Sequence, residues 1–374
     1  MNDFYYCQTC VLPNTRPNLV VHSDGTCECP KKKRVVSGPP VSYPEKFAEL
    51  IEEVSIGDSD YDCVIPVSGG KDSTWQVVKA LEFGLRPICV TWKSPGRNAI
   101  GNKNLQNLVS LGVDHIDFSV NPLVERKFIR KAFEKLGSPA IPMHMAIHAL
   151  ALQTAIRFRT PLVIYGENSA DEYGCISDPT RGGTLNGEWL RKHGVTGGTN
   201  WLDWVDSDLS RRDLSPYEWP SDDSLYSAGV RAVFLGEFFR WDPTETYKVA
   251  LEHGFESATK PSVGIYKFAD IDDSFLIAIH HYFKWFKYGF TRSWDNISLE
   301  IRAGRLSRGQ GLALLSELGD ERPAKAIEEF CNYMEFSEEK FDELIEKFRN
   351  PNIWKRSPQG VWRIENFLLP DWSW

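Results

Sequence analysis

The sequence predicts an α/β fold built on a parallel sheet, with a cysteine-bearing head before it and a mainly helical region after it. Three observations carry that expectation. Between residues 62 and 165, short apolar runs alternate with helix-period segments, as βαβ units require. A glycine-rich stretch, Ser68-Gly69-Gly70-Lys71-Asp72-Ser73, falls where the first apolar run gives way to the first helical segment. Four of the eight cysteines lie within the first 29 residues, a clustering that in a reducing compartment favours metal binding over disulfides.

In chain order, residues 1–36 read as a short, turn-rich head. Cys7-x-x-Cys10 and Cys27-x-Cys29 offer four thiolates, the donor set of a tetrahedral structural Zn²⁺, with His22 as a substitute ligand. Reduced thiols packed in a turn are the alternative. The basic run 30–34 reads as a solvated loop, and a linker, 37–44, leads to a helix marked by Phe47, Leu50, Ile51 and Val54. Strands are expected at 63–67, 87–92, 113–120 and 161–165, with helices near 72–83, 102–111, 122–136 and 143–158. In the third helix Leu123, Phe128, Ala132 and Leu136 mark one face. Cys63 and Cys89 fall within apolar strands as core residues. Residues 169–229, rich in Trp, Asp, Gly and Ser, form an insertion in a domain spanning 45–255, followed by a strand at 230–239. Residues 256–374 read as mainly helical, for example 275–288 and 325–348, ending in an aromatic tail, 362–374, that docks on the body.

Forty-three Lys and Arg stand against 51 Asp and Glu, a net charge of -8. That balance argues against sequence-blind nucleic-acid binding, which needs a basic face to displace counterions. No window approaches 18 consecutive apolar residues, and the first residues lack the pattern of a signal peptide. A cytoplasmic protein is expected, with neither membrane nor nucleic acid as partner.

The glycine-rich stretch has the chemistry of a phosphate cradle. Paired glycines let backbone N–H groups approach an anion, and the following helix N-terminus adds its dipole. Ser68 and Ser73 offer hydroxyls and Lys71 a positive charge, while Asp72 fits loop support or a bound Mg²⁺. A Walker A loop is excluded, because Ile65 stands where its first glycine belongs and Asp72 follows Lys71. In a parallel sheet the ligand sits beyond the carboxyl ends of the strands.

Ser-Gly-Gly-Lys-Asp-Ser after a first strand resembles the PP-loop of ATP pyrophosphatases, which have an adenine-nucleotide α-hydrolase-like fold. That resemblance implies that ATP is split between its α- and β-phosphates, with Ser68, Gly69, Gly70, Lys71, Asp72 and Ser73 around the leaving pyrophosphate. It also implies that backbone at Val90, Thr91 and Trp92 meets adenine. Three further stretches narrow the resemblance: YGENSADEYG (165–174), KYGFTRSWDNISLEIRAGRLSRGQG (287–311) and the zinc-ribbon-like CQTCVLPNTRP…DGTCEC. Together they resemble the N-acetyl sugar amidotransferase family of bacterial surface-polysaccharide (lipopolysaccharide O-antigen) and nonulosonic-acid biosynthesis. The implied reaction turns a sugar acetamido group into an acetamidino group through an O-adenylated intermediate, releasing AMP and pyrophosphate.

Under that resemblance Lys71, Asp72 and Glu167 are catalytic. Glu167 fits Mg²⁺ binding or orientation of the substrate amide, and equally a carboxylate at a helix N-terminus. Asn168 fits a helix cap. Gly166, Lys287 and Arg302 join the nucleotide site, and Arg292, Arg305 and Arg308 could neutralise pyrophosphate or a sugar nucleotide's diphosphate. Trp189, Trp201, Trp204 and Trp219 suit packing more than sugar stacking. Residue 2 is Asn and no Gly-x-Cys-x-Gly elbow occurs. Ammonia is therefore expected from a separate glutaminase subunit; the family resemblance implies that this partner resembles the histidine-pathway glutamine amidotransferase, with a cyclase-like companion as conduit. The rival readings are a tRNA-modifying PP-loop enzyme, for which Cys175 is the candidate reactive cysteine, and a non-catalytic nucleotide-binding scaffold.

Overall fold

A computed structural model describes residues 4–28, 43–54, 59–170, 185–319, 322–370, 372 and 374. The apolar runs form β1 (Cys63–Pro66), β2 (Pro87–Trp92), β3 (Asp114–Phe118), β4 (Leu162–Tyr165) and β5 (Arg231–Phe234). They make one parallel sheet in the order β3-β2-β1-β4-β5. Alternate residues feed two cores. Val64, Ile88, Val90, Val163 and Phe234 enter one, and Cys63, Ile65, Cys89, Leu162 and Val233 the other. Burial on both faces is why these strands read as unbroken apolar runs. The exception is edge strand β3, where exposed Asp114 and Asp117 replace the apolar run expected there and discourage pairing with a further strand.

Helices α1 (Pro44–Glu53), α2 (Lys71–Glu82) and α3 (Ala99–Val109) cover the second core, while α4 (Pro122–Leu136) and α5 (Ile141–Phe158) cover the first. α4 begins with Pro122 after an Asn121 cap and ends at left-handed Gly137, φ 59°. Its buried face is Val124, Phe128, Ile129, Ala132 and Phe133. Leu123, expected on that face, is 63% exposed, because the helix turns it to the opposite side. After short helices α6 (Gly187–His193) and α7 (Asp222–Ser227), β5 spans only four residues of the strand expected at 230–239. It stops where the Gly236 N–H turns to the Gly166 carbonyl, 3.0 Å.

Helix α8 (Pro243–Glu252) packs along α2. Helices α9 (Leu276–Tyr288), α10 (Arg292–Arg302), α11 (Arg308–Leu318), α12 (Ala324–Met334) and α13 (Glu338–Phe348) complete the helical region. The single helix expected at 325–348 is two. Glu335 adopts φ 56°, and the Ser337 side chain caps α13 by accepting from the Lys340 N–H. Phe133, Phe283, Phe330 and Phe341 interlock edge to face where these helices meet α4. A two-stranded ribbon, β6 (Trp354–Arg356) and β7 (Trp362–Ile364), precedes the tail. The tail docks through Phe367 and Trp372 against Trp285.

The head shares its core with this region instead of standing alone. Tyr6 stacks on Trp294 at 5.1 Å, Arg16 pairs with buried Asp295 at 2.7 Å, and Leu12 and Leu19 join Phe290, Ile297 and Leu315. No helix among the described residues is long and apolar enough to cross a membrane.

Beside β2, Glu125 is buried with the Trp92 indole as its hydrogen-bonding neighbour, too little to offset the desolvation of its carboxyl. Desolvation raises the Glu125 carboxyl from 4.5 to about 8. Below the unfolded value both states hold the proton. Between there and about 8 only the folded state does, so this group makes stability fall as pH rises, by roughly 1.4 kcal/mol per pH unit. Urea denaturation of Glu125→Gln between pH 5 and 8 should lack that slope, leaving the variant more stable than the parent at pH 8. Parallel slopes would contradict it.

Candidate active site

The chain leaves β1 for β2 and β3 on one side and returns to β4 on the other, so the sheet's switch point lies between β1 and β4. The loop after β1 is Val67 to Gly70, and α2 starts at Lys71. Gly69 sits at φ +85°, and a β-carbon there would lie 2.5 Å from the Leu105 nitrogen of α3. Only glycine satisfies both demands. Ser68 Oγ accepts from the Gly70 N–H (3.1 Å), Ser73 Oγ donates to the Gly70 carbonyl (3.0 Å), and the Ser68 N–H donates to Ser73 Oγ (3.3 Å). The two serines thus knit the loop. The first-turn N–H groups of α2, which have no intrahelical acceptor, supply the anion-binding end.

Lys71 Nζ bonds both Asp72 oxygens, at 2.7 and 2.6 Å. Asp72 Oδ1 also accepts from Trp241 Nε1 and Thr246 Oγ1, each at 2.9 Å. The ammonium lies 5.3 Å from the Trp241 ring centre and 5.9 Å from that of Phe268. Residues at and just before α8 therefore fix the geometry of this charge pair.

Two cavities meet at the loop. The larger, about 410 Å³, runs from Ser68, Gly70, Asp72 and Ser73 past Val90, Thr91 and Trp92 to an apolar wall of Met143, Ile147, Tyr165, Trp189 and Phe234. The smaller, about 190 Å³, is polar and lies over Lys71 and Asp72, with Tyr266, Asp270, Asp272, Arg292 and Asn296 as its far wall. Ser68, Gly70, Asp72, Glu167 and Asp272 line both. Gly166 lines the larger alone, and a β-carbon there would come 3.0 Å from the Gln76 side chain. Asn168 Oδ1 accepts from the Ala170 N–H at 3.0 Å and the Trp189 indole at 3.3 Å, so it caps and braces.

Several lining residues went unnoticed in the sequence. His144 and His148 are one turn apart on α5 and line the larger cavity. Desolvation lowers His144 to about 4 and His148 to about 3, so both are neutral. His144 Nδ1 donates to the Ala140 carbonyl at 2.7 Å, which leaves Nε2 as an acceptor. The acidic run Asp270, Asp272, Asp273 was a readable signal. Asp272 is raised to about 6 by burial and by Asp273, and Asp273 Oδ1 receives the N–H groups of Phe275 and Ile277 at the start of α9.

Of the five cations expected around pyrophosphate, only Arg292 lines the polar cavity, paired with Asp270 at 2.9 Å. Arg305 is held by Glu300 and Asp242. Arg308 donates to the carbonyls of Cys10 (2.9 Å) and Cys7 (3.4 Å), tying α11 to the head. Arg302 ends α10, buried and outside both cavities. Lys287 Nζ donates to the Leu136 carbonyl at 2.7 Å and lines a separate cavity. Helix spacing placed these side chains near one another in sequence, but their faces diverge. Among the four insertion tryptophans, only Trp189 reaches the larger cavity; Trp204 packs on Phe128.

In the head, the sulfurs of Cys7, Cys10 and Cys27 lie within 4.8 Å of one another, the only such ligand group among the described residues. Cys10 and Cys27 sulfurs are 3.8 Å apart, as two ligands about 2.3 Å from a tetrahedral metal would be. Hydrogen bonds from the Cys10 and Cys27 thiols hold Cys7 far below the usual thiol value, and Cys10 rises to about 11. The N–H groups of Thr9 and Cys27 also point at Cys7 sulfur, at 3.4 and 3.2 Å. The group can hold a metal. Cys29, the expected fourth ligand, lies outside the described residues, as does Cys175. His22 faces Glu28 at 3.7 Å and is not in the group.

Gly69→Ala should disrupt the loop. Its β-carbon meets α3 backbone, which cannot move aside as a side chain can, and its φ is strained. The expected outcome is at least tenfold weaker ATP-analogue binding, measured by calorimetry, with Gly84→Ala, a second glycine of positive φ with open space around it, as the comparison. Unchanged binding in Gly69→Ala would refute this account of the loop.

No curated protein sequence matches the chain. Solved structures similar to it include an NH3-dependent NAD synthetase from Campylobacter jejuni in complex with a nitrate ion, 19% identical, TM-score 0.29, covering 35% of this chain. The match spans 59% of that protein's own length. An NMN synthetase from Francisella tularensis is 15% identical, TM-score 0.28, over 62% of this chain and 98% of that one. Residues 264–368, which include Asp270, Asp272, Arg292 and Asn296 of the polar cavity, match the C-terminal domain of WbpG-like LPS biosynthesis proteins, in keeping with the family that the sequence resembles.

Proposed function

We propose that the chain is an ATP-dependent amidotransferase that converts a sugar acetamido group into an acetamidino group during bacterial surface-glycan synthesis. One observation carries the reading. The region that matches a lipopolysaccharide-biosynthesis domain supplies the far wall of the polar cavity, and the PP-loop supplies the near wall.

ATP lies with its adenosine toward Val90–Trp92 and its β- and γ-phosphates over the loop in the polar cavity. Four carboxylates, Asp72, Glu167, Asp270 and Asp272, line that cavity against two cations, Lys71 and Arg292. A polyphosphate entering such surroundings needs a divalent cation with it. The carboxylates do not converge into a preformed metal group, which suits Mg²⁺ carried mainly by phosphates with one or two protein ligands, Asp72 and Glu167 first among them. Bound there, Mg²⁺ would offset the charge of the leaving pyrophosphate. The acetamido oxygen attacks the α-phosphorus, the α–β P–O bond breaks, and pyrophosphate leaves. Ammonia then adds to the imidate carbon, and AMP departs with the former amide oxygen. No cysteine among the described residues lines either cavity, which suits ammonia delivered by a separate glutaminase. In the head, Cys7, Cys10 and Cys27 would hold a structural Zn²⁺, with Cys29 the fourth thiolate that the sequence offers.

With ATP, Mg²⁺, ammonium salt and candidate acetamido sugars, the expected products are AMP, pyrophosphate and a sugar lighter by about one mass unit. Lys71→Ala should lower kcat by roughly 100-fold. ADP in place of AMP, or ATP cleavage that needs RNA, would overturn the proposal. Separately, metal analysis of the purified protein should find zinc, and Cys7→Ser should lose it together with thermal stability. A zinc-free protein of unchanged stability in both forms would exclude the structural metal.

A further inference from the structure

Two helices border the polar cavity, and one guanidinium joins them. Trp241 and Pro243, at and just before the start of α8, line that cavity, as do Arg292, Asn296 and Leu299 of α10. Arg305 follows the end of α10 and lines neither active-site cavity. Its Nε and Nη2 donate to the two Glu300 oxygens, at 2.6 and 2.9 Å, and its Nη1 donates to Asp242 Oδ2 at 2.8 Å. The Arg305 N–H also donates to the Glu300 carbonyl at 3.0 Å, so backbone and side chain share one anchor. A planar fork paired with a carboxylate fixes direction as well as charge, which a lysine cannot do.

Each carboxylate leads to a different wall of the cavity. Asp242 caps α8: its Oδ1 accepts from the Thr244 and Glu245 N–H groups, at 2.9 and 3.4 Å, and its Oδ2 is left for Arg305. Trp241, just before it, and Thr246, one turn after it, both donate to Asp72 Oδ1 at 2.9 Å and so hold the Lys71–Asp72 pair. Glu300 accepts from the hydroxyl of Tyr266, in the far wall. The Glu300 and Asp242 side chains are only 12% and 14% exposed, so their charges depend on the partner they have. Burial would raise Asp242, yet the Arg305 hydrogen bond holds its carboxyl below the usual range. Glu300 and Arg305 fall within the region that matches the lipopolysaccharide-biosynthesis domain, and Asp242 falls outside it. The guanidinium therefore ties that region to the part of the chain that holds the PP-loop.

Resting on the proposed function, we propose that Arg305 is a positioning residue for the polar cavity. By clamping the cap of α8 to the end of α10, it keeps Trp241 and Thr246 on Asp72 and sets the two walls at the spacing that pyrophosphate with its Mg²⁺ fits. It acts without touching the ligand, unlike the direct phosphate contact that its place in a basic stretch suggests. The adenosine end of the larger cavity, at Val90–Trp92 on β2, does not depend on the clamp.

Calorimetry on the full chain with two probes tests this: inorganic pyrophosphate with Mg²⁺ reads the polar cavity, and AMP reads the larger one. Arg305→Ala should weaken pyrophosphate by roughly tenfold or more. Its AMP affinity should be unchanged, which also reports that the variant is folded. Asp242→Asn keeps a good helix cap but weakens the clamp, so it should show the same split. The double variant should lose no more than Arg305→Ala alone, because both changes break one unit. Arg305→Lys keeps the charge but not the fork, and should recover little pyrophosphate binding. A parent protein that fails to bind either probe would count against the ATP site itself. With the parent binding both, parallel loss of AMP and pyrophosphate would make Arg305 a general structural tie and overturn the proposal. Unchanged pyrophosphate binding, losses that multiply in the double variant, or full recovery in Arg305→Lys would overturn it equally.

Discussion

Gly69 passes so close to α3 that a β-carbon would fall 2.5 Å from the Leu105 nitrogen, and its φ of +85° suits no other residue well. That contact locks the turn between β1 and α2. With the turn locked, Gly70 presents its carbonyl to the hydroxyls of Ser73 and Thr74, and α2 starts with its N-terminus at the sheet's switch point. The two active-site cavities lie on either side of this turn because its backbone is their common wall. The parallel sheet supplies the position, and the glycine contact supplies the shape.

Charge is distributed unevenly around that wall. The polar cavity is acidic, with Lys71 neutralised by Asp72 and Arg292 by Asp270. The larger cavity beside it has an apolar wall of Met143, Ile147, Tyr165, Trp189 and Phe234, and its two histidines are neutral. A cation-rich pocket beside the loop would attract bare phosphate, whereas an acidic one admits phosphate only with its metal. The apolar wall lowers the dielectric on its side of the cavity, where electrostatic contacts are strongest.

The strands were legible because they are buried on both faces, so Cys63 to Ile65 and Pro87 to Trp92 had to be apolar throughout. Ser68 to Ser73 was legible because its phosphate chemistry is contiguous in sequence. The polar cavity was not, since Asp72 meets Asp270 and Arg292 only through folding across some 200 residues. Arg305 and Arg308 were misread for a related reason. Helical spacing says which residues share a face, but not which partner that face meets, and here the partners are Glu300, Asp242 and the head's carbonyls. The break at Glu335 had no glycine or proline to announce it. Ser337 followed by Glu338 and Glu339 was the available signal of a new helix start. Lys287 looked like one more cation in a basic stretch, and only its burial against the Leu136 carbonyl assigns it to another cavity.

The proposed chemistry places a further demand on the larger cavity. An O-adenylated imidate returns to the amide if water reaches it before ammonia, so the intermediate must form in a space that water does not share. Met143, Ile147, Tyr165, Trp189 and Phe234 provide such a wall, and they offer an attacking nucleophile few competing hydrogen bonds. Ammonia adding to the imidate must lose a proton before AMP departs. His144 lines the same space, neutral and with its Nδ1 proton committed to the Ala140 carbonyl, which leaves Nε2 as an acceptor. Desolvation keeps the ring uncharged and so excludes a competing cation from the space, while a ring lowered to about 4 accepts a hydrogen bond better than it holds a proton.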